Sequence, residues 1–520
     1  MTNKRRSMNY RSSVELDPVG TPPPKQTGAG SALRKTLAAF FAVVSIALAI
    51  SLAVAVGGST GTAGGSGDRD SSGGTTSFGS PGTTLTSPPS ATPSPASPTV
   101  SPAPGGTPAV QPTVGPPTVG PPPPSGSVDY NSDYKVTVHD VSGHDDLLCD
   151  DPVCTTVVEP DGPYRVDGSN GVAQPGDTYC MRGGDHGSME VRHVAGSAEQ
   201  PVTFVNCEGA VHFGDGGTPL RLTNVTHARF VGNGDSTHLY GFTVKSDSSF
   251  AIAWQGKSRD IEMAWFHLYE LTGFAGLGAK CSRAQCSDPS DPVTGDTPFV
   301  QTGTHLHHNL VNYSLDAEGF YISHFECLTG SDEFRLRGVY VHDNVFLNMG
   351  AEAFQIGCAV DDVKIYNNFA NGTGLRPFEN RSDQTGGFQF GTALVYNNWI
   401  ERVAGNAMHF QGGDASPSGE YLIHFYNNTV VNPGSYGYFN VRLTDSTTTL
   451  KIRLENNTFL AGPETKGFRF NNNLRDAPFE IVNNHFEGVT AEAFLLVDSG
   501  DDYDPVTWLT DLIFDQNTFA

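Results

Sequence analysis

Two glutamates occupy matching places in two stretches that resemble each other, Glu318 in SLDAEGFYIS and Glu352 in NMGAEAFQIG. Each follows a small-residue turn and precedes a phenylalanine by two residues. Glycoside hydrolysis uses such a pair, one carboxyl as acid and the other as base or nucleophile, at ~5 to 9.5 Å. One strand spacing apart, two carboxyls push their pKa values in opposite directions, so that one holds a proton while the other is ionised. His409 follows in a later copy of the same stretch and belongs to the residue type best suited to carrying protons near neutrality. Tyr321, Gln355, Gln389, Gln411, Asn440 and Asn471 offer hydroxyl and amide groups to sugar hydroxyls, and Arg442 and Arg469 offer guanidinium forks to a carboxylate. β-Elimination from a uronate has other needs, a cation or Ca2+ to neutralise the carboxylate and a base beside it. Arg442 and Arg469 fit the first need. The acidic run Asp498, Asp501, Asp502 and Asp504 is the candidate for Ca2+, although it lacks EF-hand spacing.

A repeat positions these residues. A short β-run, an asparagine, a second apolar run, a small-residue turn and a third run recur, as in HLHHNLVNYSLDAEGFYIS and VYVHDNVFLNMGAEAFQIG. The recurring asparagines are Asn309, Asn344, Asn368, Asn398, Asn428, Asn457, Asn484 and Asn517. A single such coil cannot bury its apolar face, whereas stacked coils share one core. The asparagine suits a tight bend, where it tolerates a left-handed backbone, and its amide can bond to the next coil. Asn427 and Asn456 also fit the N-x-Ser/Thr pattern, which the ladder accounts for without glycosylation. Alternation along the third run sends Phe320 and Ile322, Phe354 and Ile356, Phe388 and Phe390, Met408 and Phe410, Phe468 and Phe470, and Phe494 and Leu496 inward. The sugar-binding candidates then form an outward polar stripe, with Gly357 and Gly391 leaving room for a ligand.

This asparagine ladder resembles that of the pectate-lyase-like superfamily of right-handed parallel β-helix proteins, over about Pro201 to Ala520. The resemblance implies an all-β solenoid whose substrate groove runs along the outer face of the strand after the turn. It implies a polysaccharide or surface glycan as partner. Lyases, glycosidases, epimerases and adhesins share such folds, so the fold does not choose among them. The Asn-Thr-Asp, Gly-His-Gly and Arg-Ile-Lys pattern of the polygalacturonase branch is missing.

The rest of the 520 residues divides by composition. Residues 1–36 form a basic segment, and 37–57 hold LAAFFAVVSIALAISLAVAV, the length of one membrane-spanning helix. Basic residues cluster before it, which places the N-terminus in the cytoplasm and the remainder outside; a cleaved signal peptide, with secretion, is the alternative. Residues 58–127 are a Gly/Ser/Thr/Pro-rich linker expected to be disordered, 128–200 the lead-in strands and cap, and 201–520 the β-helix. The formal net charge is −24 despite the basic head, so the folded body carries the acidic surplus and repels nucleic acid. All eight cysteines follow the apolar segment, which fits disulfides in an oxidising compartment, with Cys281 and Cys286 the nearest pair in one loop. The expectation is therefore a membrane-tethered extracellular β-helix that binds a polysaccharide, or binds and cleaves it as a lyase or glycoside hydrolase. Its rival is a non-catalytic surface adhesin or envelope structural protein.

Overall fold

The computed structural model describes residues 139–214, 217–281, 299–324, 336–374, 384–412, 420–434, 438–443, 449–461, 468–471, 479–488, 495–497 and 512–520. The basic head, the apolar segment, the linker, Cys286, Phe494 and the acidic run at 498–504 lie outside them. No helix among the described residues is long and apolar enough to cross a membrane.

Short strands rich in Val, Ile, Phe and Leu, separated by bends, cannot pair with their sequence neighbours across such tight corners. Each instead pairs, in parallel, with its counterpart one coil later: Arg259–Ala264 with Thr304–His307, Phe266–Leu271 with Leu310–Ser314, Ala275–Cys281 with Glu318–His324. Three parallel sheets result, and the chain winds around the core they enclose. We call the sheet before the asparagine the first, the one after it the second, and the one after the small-residue turn the groove sheet. The parallel pairing reaches back to Thr156–Val158 and Tyr164–Asp167 and forward to Thr518–Phe519. One strand, Phe354–Tyr366, serves both the groove sheet and the first sheet of the following coil.

Inside, like side chains stack coil on coil. Phe204 and Phe230 lie 4.5 Å apart and nearly parallel, Phe439 and Phe468 5.0 Å, and Phe459 and Phe486 4.9 Å. Burying such a side chain contributes about 1.5–3 kcal/mol, and the stack makes one continuous core.

The asparagine ladder is complete from Asn309 to Asn517. Each Nδ2 from Asn309 to Asn484 donates to the Oδ1 of the next rung, at 2.9 to 3.1 Å, and all eight, Asn517 included, donate to a main-chain carbonyl of the coil before. One part of the expectation is corrected. The left-handed residue is not the rung but the one before it: His308, Asp343, Asn367, Asn397, Asn427, Asn456, Asn483 and Gln516, with φ between 51° and 56°. Asn427 and Asn456 are thus exposed bend residues rather than rungs, and the rung itself is free to bury its amide in the ladder.

An N-terminal arm crosses the bends. Its main chain bonds to Asn233 and Gly234, and two disulfides, Cys149–Cys207 and Cys154–Cys180, fasten it to the first coils. Cystine formation matches the expectation from cysteine placement, while the Cys281–Cys286 pairing falls outside what is described.

Candidate functional site

Alternation in the groove sheet sends Leu277, Ala279, Phe320, Ile322, Phe354 and Ile356 into the core. The pairing then sets Ala253, Gly278, Tyr321, Gln355, Gly387, His409, Asn440 and Arg469 in one row across the coils. A second row holds Lys280 beside Ser323, and further on Gly357, Gln389, Gln411, Arg442 and Asn471. For Gln389, Gln411, Asn440, Arg442, Arg469 and Asn471 the backbone alone is described, and its register sets Arg442 and Arg469 diagonally on adjacent coils.

Two expected alignments shift. Gln389 is level with Gly357, and Gly387, not Gln389, is level with Gln355. The reason is Gly386: it stands where an inward side chain is expected, and a Cβ there would meet the Phe354 ring at 2.5 Å and the Met408 sulfur at 2.7 Å. Phe388 is consequently level with Ile356, not with Phe354. Gly391 makes no room in the groove; it has φ of 127°, and its Cβ would fall 1.8 Å from the Ala359 carbonyl oxygen. Near the C-terminal end Leu495, not Phe494, is level with Phe468, so Leu496 pairs with Arg469 and takes the parity of the outer row.

The densest chemistry on this face is a cluster that the repeat pattern misses. Lys280 Nζ donates to the Tyr321 hydroxyl at 3.3 Å and sits 5.0 Å from the centre of its ring. Phe274, 48% exposed, packs edge-on against Tyr321 at 5.2 Å and against Phe250 at 5.7 Å. Phe250 occupies the space over Gly278, where a Cβ would lie 2.3 Å from its ring. The result is an aromatic platform carrying one ammonium group. Aromatic faces with a few placed polar groups are the usual make-up of small-ligand sites.

Glu318 and Glu352 do stand level on adjacent coils: Phe320 pairs with Phe354, and the Gly319 amide donates to the Glu352 carbonyl at 2.8 Å. Neither is a solvated turn residue, since each is only 5% exposed. Glu352 accepts a 2.6 Å bond from Gln384 Nε2, a side chain that also reaches the edge of Gly387 in the outer row. His409 is three strands from Tyr321 along the row, roughly 14 Å at normal strand spacing. The structure therefore brings the two glutamates together and leaves His409 apart from Lys280 and Tyr321. Among the described residues no group of three or more His, Cys, Asp or Glu side chains is arranged to hold a metal ion.

No family model matches the sequence, and no curated protein matches it. Solved structures similar to it include an alginate lyase from Paenibacillus sp. str. FPU-7, at 15% identity and a TM-score of 0.35, over 58% of this chain and 99% of that one. Another is a mannuronic acid specific polysaccharide family 6 lyase from human gut microbiota, at 12% and 0.34, over 69% and 91%. XylC, solved in complex with xylose, matches at 8% and 0.27, over 68% and 86%. Likeness this distant assigns no activity to the chain.

A second group of titratable side chains lies on the first sheet, away from the groove. His307, His342, Tyr366, Tyr396 and Tyr426 stack outside the ladder with centroids 4.6 to 5.0 Å apart. His139 from the arm joins their end, bonding to the Tyr240 hydroxyl and the Asp343 carbonyl, each at 2.6 Å. Burial lowers the pKa of His139, and burial with the neighbouring His307 brings His308 to about 4. Burial of Glu262 acts upward but is outweighed by bonds from His307 and Arg229, which leave it at about 2. This assembly is a clamp on the arm.

Proposed function

We propose that the outer face of the groove sheet binds an extended acidic polysaccharide and cleaves it by β-elimination at Lys280 and Tyr321. The observation that carries this reading is the 3.3 Å pair of Lys280 Nζ and Tyr321 Oη on an aromatic platform. A uronate ring packs on Phe274 and sets its carboxylate on the ammonium, whose charge offsets the negative charge that builds up as the C5 proton leaves. With its own proton already given up, the Tyr321 oxygen, as a phenolate beside the ammonium, takes that proton, the C4–O bond breaks, its electron pair departs with the glycosidic oxygen, and C4=C5 forms. The proton then passes from Tyr321 to the leaving oxygen. What favours this over hydrolysis is the Lys280 ammonium beside the Tyr321 hydroxyl, a charge that a uronate carboxylate needs and a hydrolase's carboxyl pair does not supply. Gln355 and His409, both half-buried in the same row, line the onward path.

We also place the chain outside the cell, held by the apolar segment at 37–57. Two disulfides support an oxidising compartment.

The test is incubation of the protein with uronate and neutral polysaccharides, following unsaturated-uronate absorbance and new reducing ends together. Absorbance that disappears in Lys280→Met supports the reading. Reducing ends without absorbance, lost in Glu352→Gln, would replace it with a hydrolase. A glycan retained without either signal would make the protein an adhesin.

A further inference from the structure

The groove face continues toward the N-terminus past the aromatic platform. Above Ala253 in the same row stand Arg221, Glu190 and Arg165, each one coil further back. There the surface opens into a pocket of about 360 Å³ lined by Tyr164, Arg165, Glu190, Thr218 and Arg221, among others. In a chain of formal net charge −24, two arginines in one pocket are a local reversal of sign. Glu190 does not cancel them. It is shared between Arg165, whose Nε lies 3.4 Å from one carboxylate oxygen, and Arg192, which binds the other. Arg221 has no ion pair among the described residues, and its buried Nε has no hydrogen-bond partner. With no ion pair among the described residues, the Arg221 guanidinium leaves its positive charge uncompensated at the pocket wall, and a planar carboxylate matches a guanidinium fork.

Arg221 lies on the strand Leu220–Thr223 and Lys280 on Ala275–Cys281, two coils on, so roughly 10 Å of groove separates the two strands. In that interval Ala253 is buried and the Phe250 ring lies over Gly278. We infer that the Arg221 pocket is a separate anchor that takes one carboxylate of an acidic saccharide whose next charged portion lies on Lys280. It adds length and charge selectivity to the site proposed above, on which it rests, and performs no bond cleavage. Tyr164 supplies an apolar wall for the ring that bears the carboxylate.

The experiment compares wild type, Arg221→Gln and Lys280→Met as full chains, titrated calorimetrically with a single uronate sugar, with uronate oligomers from dimer to hexamer, and with the same oligomers after reduction of their carboxyls. Thermal melts confirm that the variants fold. In Arg221→Gln the longer acidic oligomers bind about tenfold more weakly, the loss expected for one charge-assisted contact, and the dimer and the reduced oligomers are unchanged. Lys280→Met weakens all acidic oligomers. Equal binding of long acidic oligomers by wild type and Arg221→Gln would overturn the anchor while leaving the groove intact. If no oligomer binds wild type, but the single uronate binds and is lost in Arg221→Gln, the pocket stands and the cleavage groove falls. Binding of neither would overturn both.

Discussion

Lys280 and Tyr321, 41 residues apart in sequence, meet on adjacent coils with the ammonium over the phenol ring and bonded to its hydroxyl. The ring positions the ammonium by cation–π attraction, worth ~0.5–1 kcal/mol at an exposed site, so the pair is held before any ligand arrives. Tyr321→Phe retains the ring and removes the oxygen. It is expected to lower kcat about 10²-fold or more, with a much smaller change in KM and no loss of melting temperature. Steady-state kinetics on a uronate polymer, beside a thermal melt, checks both halves. A parallel fall in kcat and stability would mean that the hydroxyl is structural.

The ladder makes a sharper stability statement. Asn398 donates to Ile365 O, Tyr396 O and Asn428 Oδ1, and its own Oδ1 accepts from the Asn368 amide and side chain. Asn398→Ala strands several of these buried groups without partners and is expected to cost about 3 kcal/mol or more. Among the described residues Asn517 bonds to one rung, and it is partly exposed, so Asn517→Ala is expected to cost less. Chemical denaturation of the two variants beside wild type measures the difference; equal losses would show that the rungs act singly.

The ladder was legible in the sequence because a polar residue recurring between apolar runs has few explanations in a buried solenoid. The three-sheet architecture followed from it. The groove was less legible. Gly386 and Gly387 begin a strand without side chains, so an alternation count starts two residues late and misplaces Gln389. Lys280 escaped for another reason. Its coil reads MAWFHLYELTGFAGLGAK and carries Trp265 and Phe266 where later coils have their bend residue and rung. Trp265 nevertheless takes the left-handed bend, at φ of 63°, and the Phe266 amide donates to Asn309 Oδ1. Geometry kept the coil while its signature residue was gone. The missing signal was the small–large spacing of Gly276, Gly278 and Lys280, which gives an outer face but no hint of Phe250 and Phe274 above it.

Cys149 and Cys207 close a separation of 58 residues, and the arm has few strand pairings before Thr156 to hold it otherwise. A loop of that length implies a stabilisation of about 4 kcal/mol by the chain-entropy argument. The double variant Cys149→Ser/Cys207→Ser is expected to free the arm to proteolysis first, with cleavage near residues 139–148 preceding any loss of the solenoid. Mass spectrometry of limited digests reads the order. Simultaneous loss of arm and solenoid would show that the arm is part of the cooperative core.

Acid should loosen the same arm by a route that does not touch the cystines. His308 sits under the Trp265 ring at 4.5 Å, faces His139 at 5.6 Å and His342 at 6.3 Å, and lies 2.8 Å from His307 between ring nitrogens; Asp343 is the carboxylate nearby. His139 is neutral in the folded protein, since burial opposes its charge, and Nε2 donates to the Asp343 carbonyl while Nδ1 accepts from the Tyr240 hydroxyl. Histidines whose folded pKa lies below the unfolded 6.5 take up protons more readily in the unfolded chain. Stability is therefore full above pH 6.5 and falls as pH drops toward 4, the folded value of His308. Glu262, at about 2 in the folded state against 4.5, adds a second loss below pH 4.5 with the same sign. His308→Asn provides the control, because asparagine holds the equivalent left-handed position at 367, 397, 427, 456 and 483. The variant is expected to keep its melting temperature at pH 7.5 and to lose less of it between pH 6.5 and 4.5 than wild type does. Identical pH profiles for the two proteins would place the acid sensitivity outside this clamp.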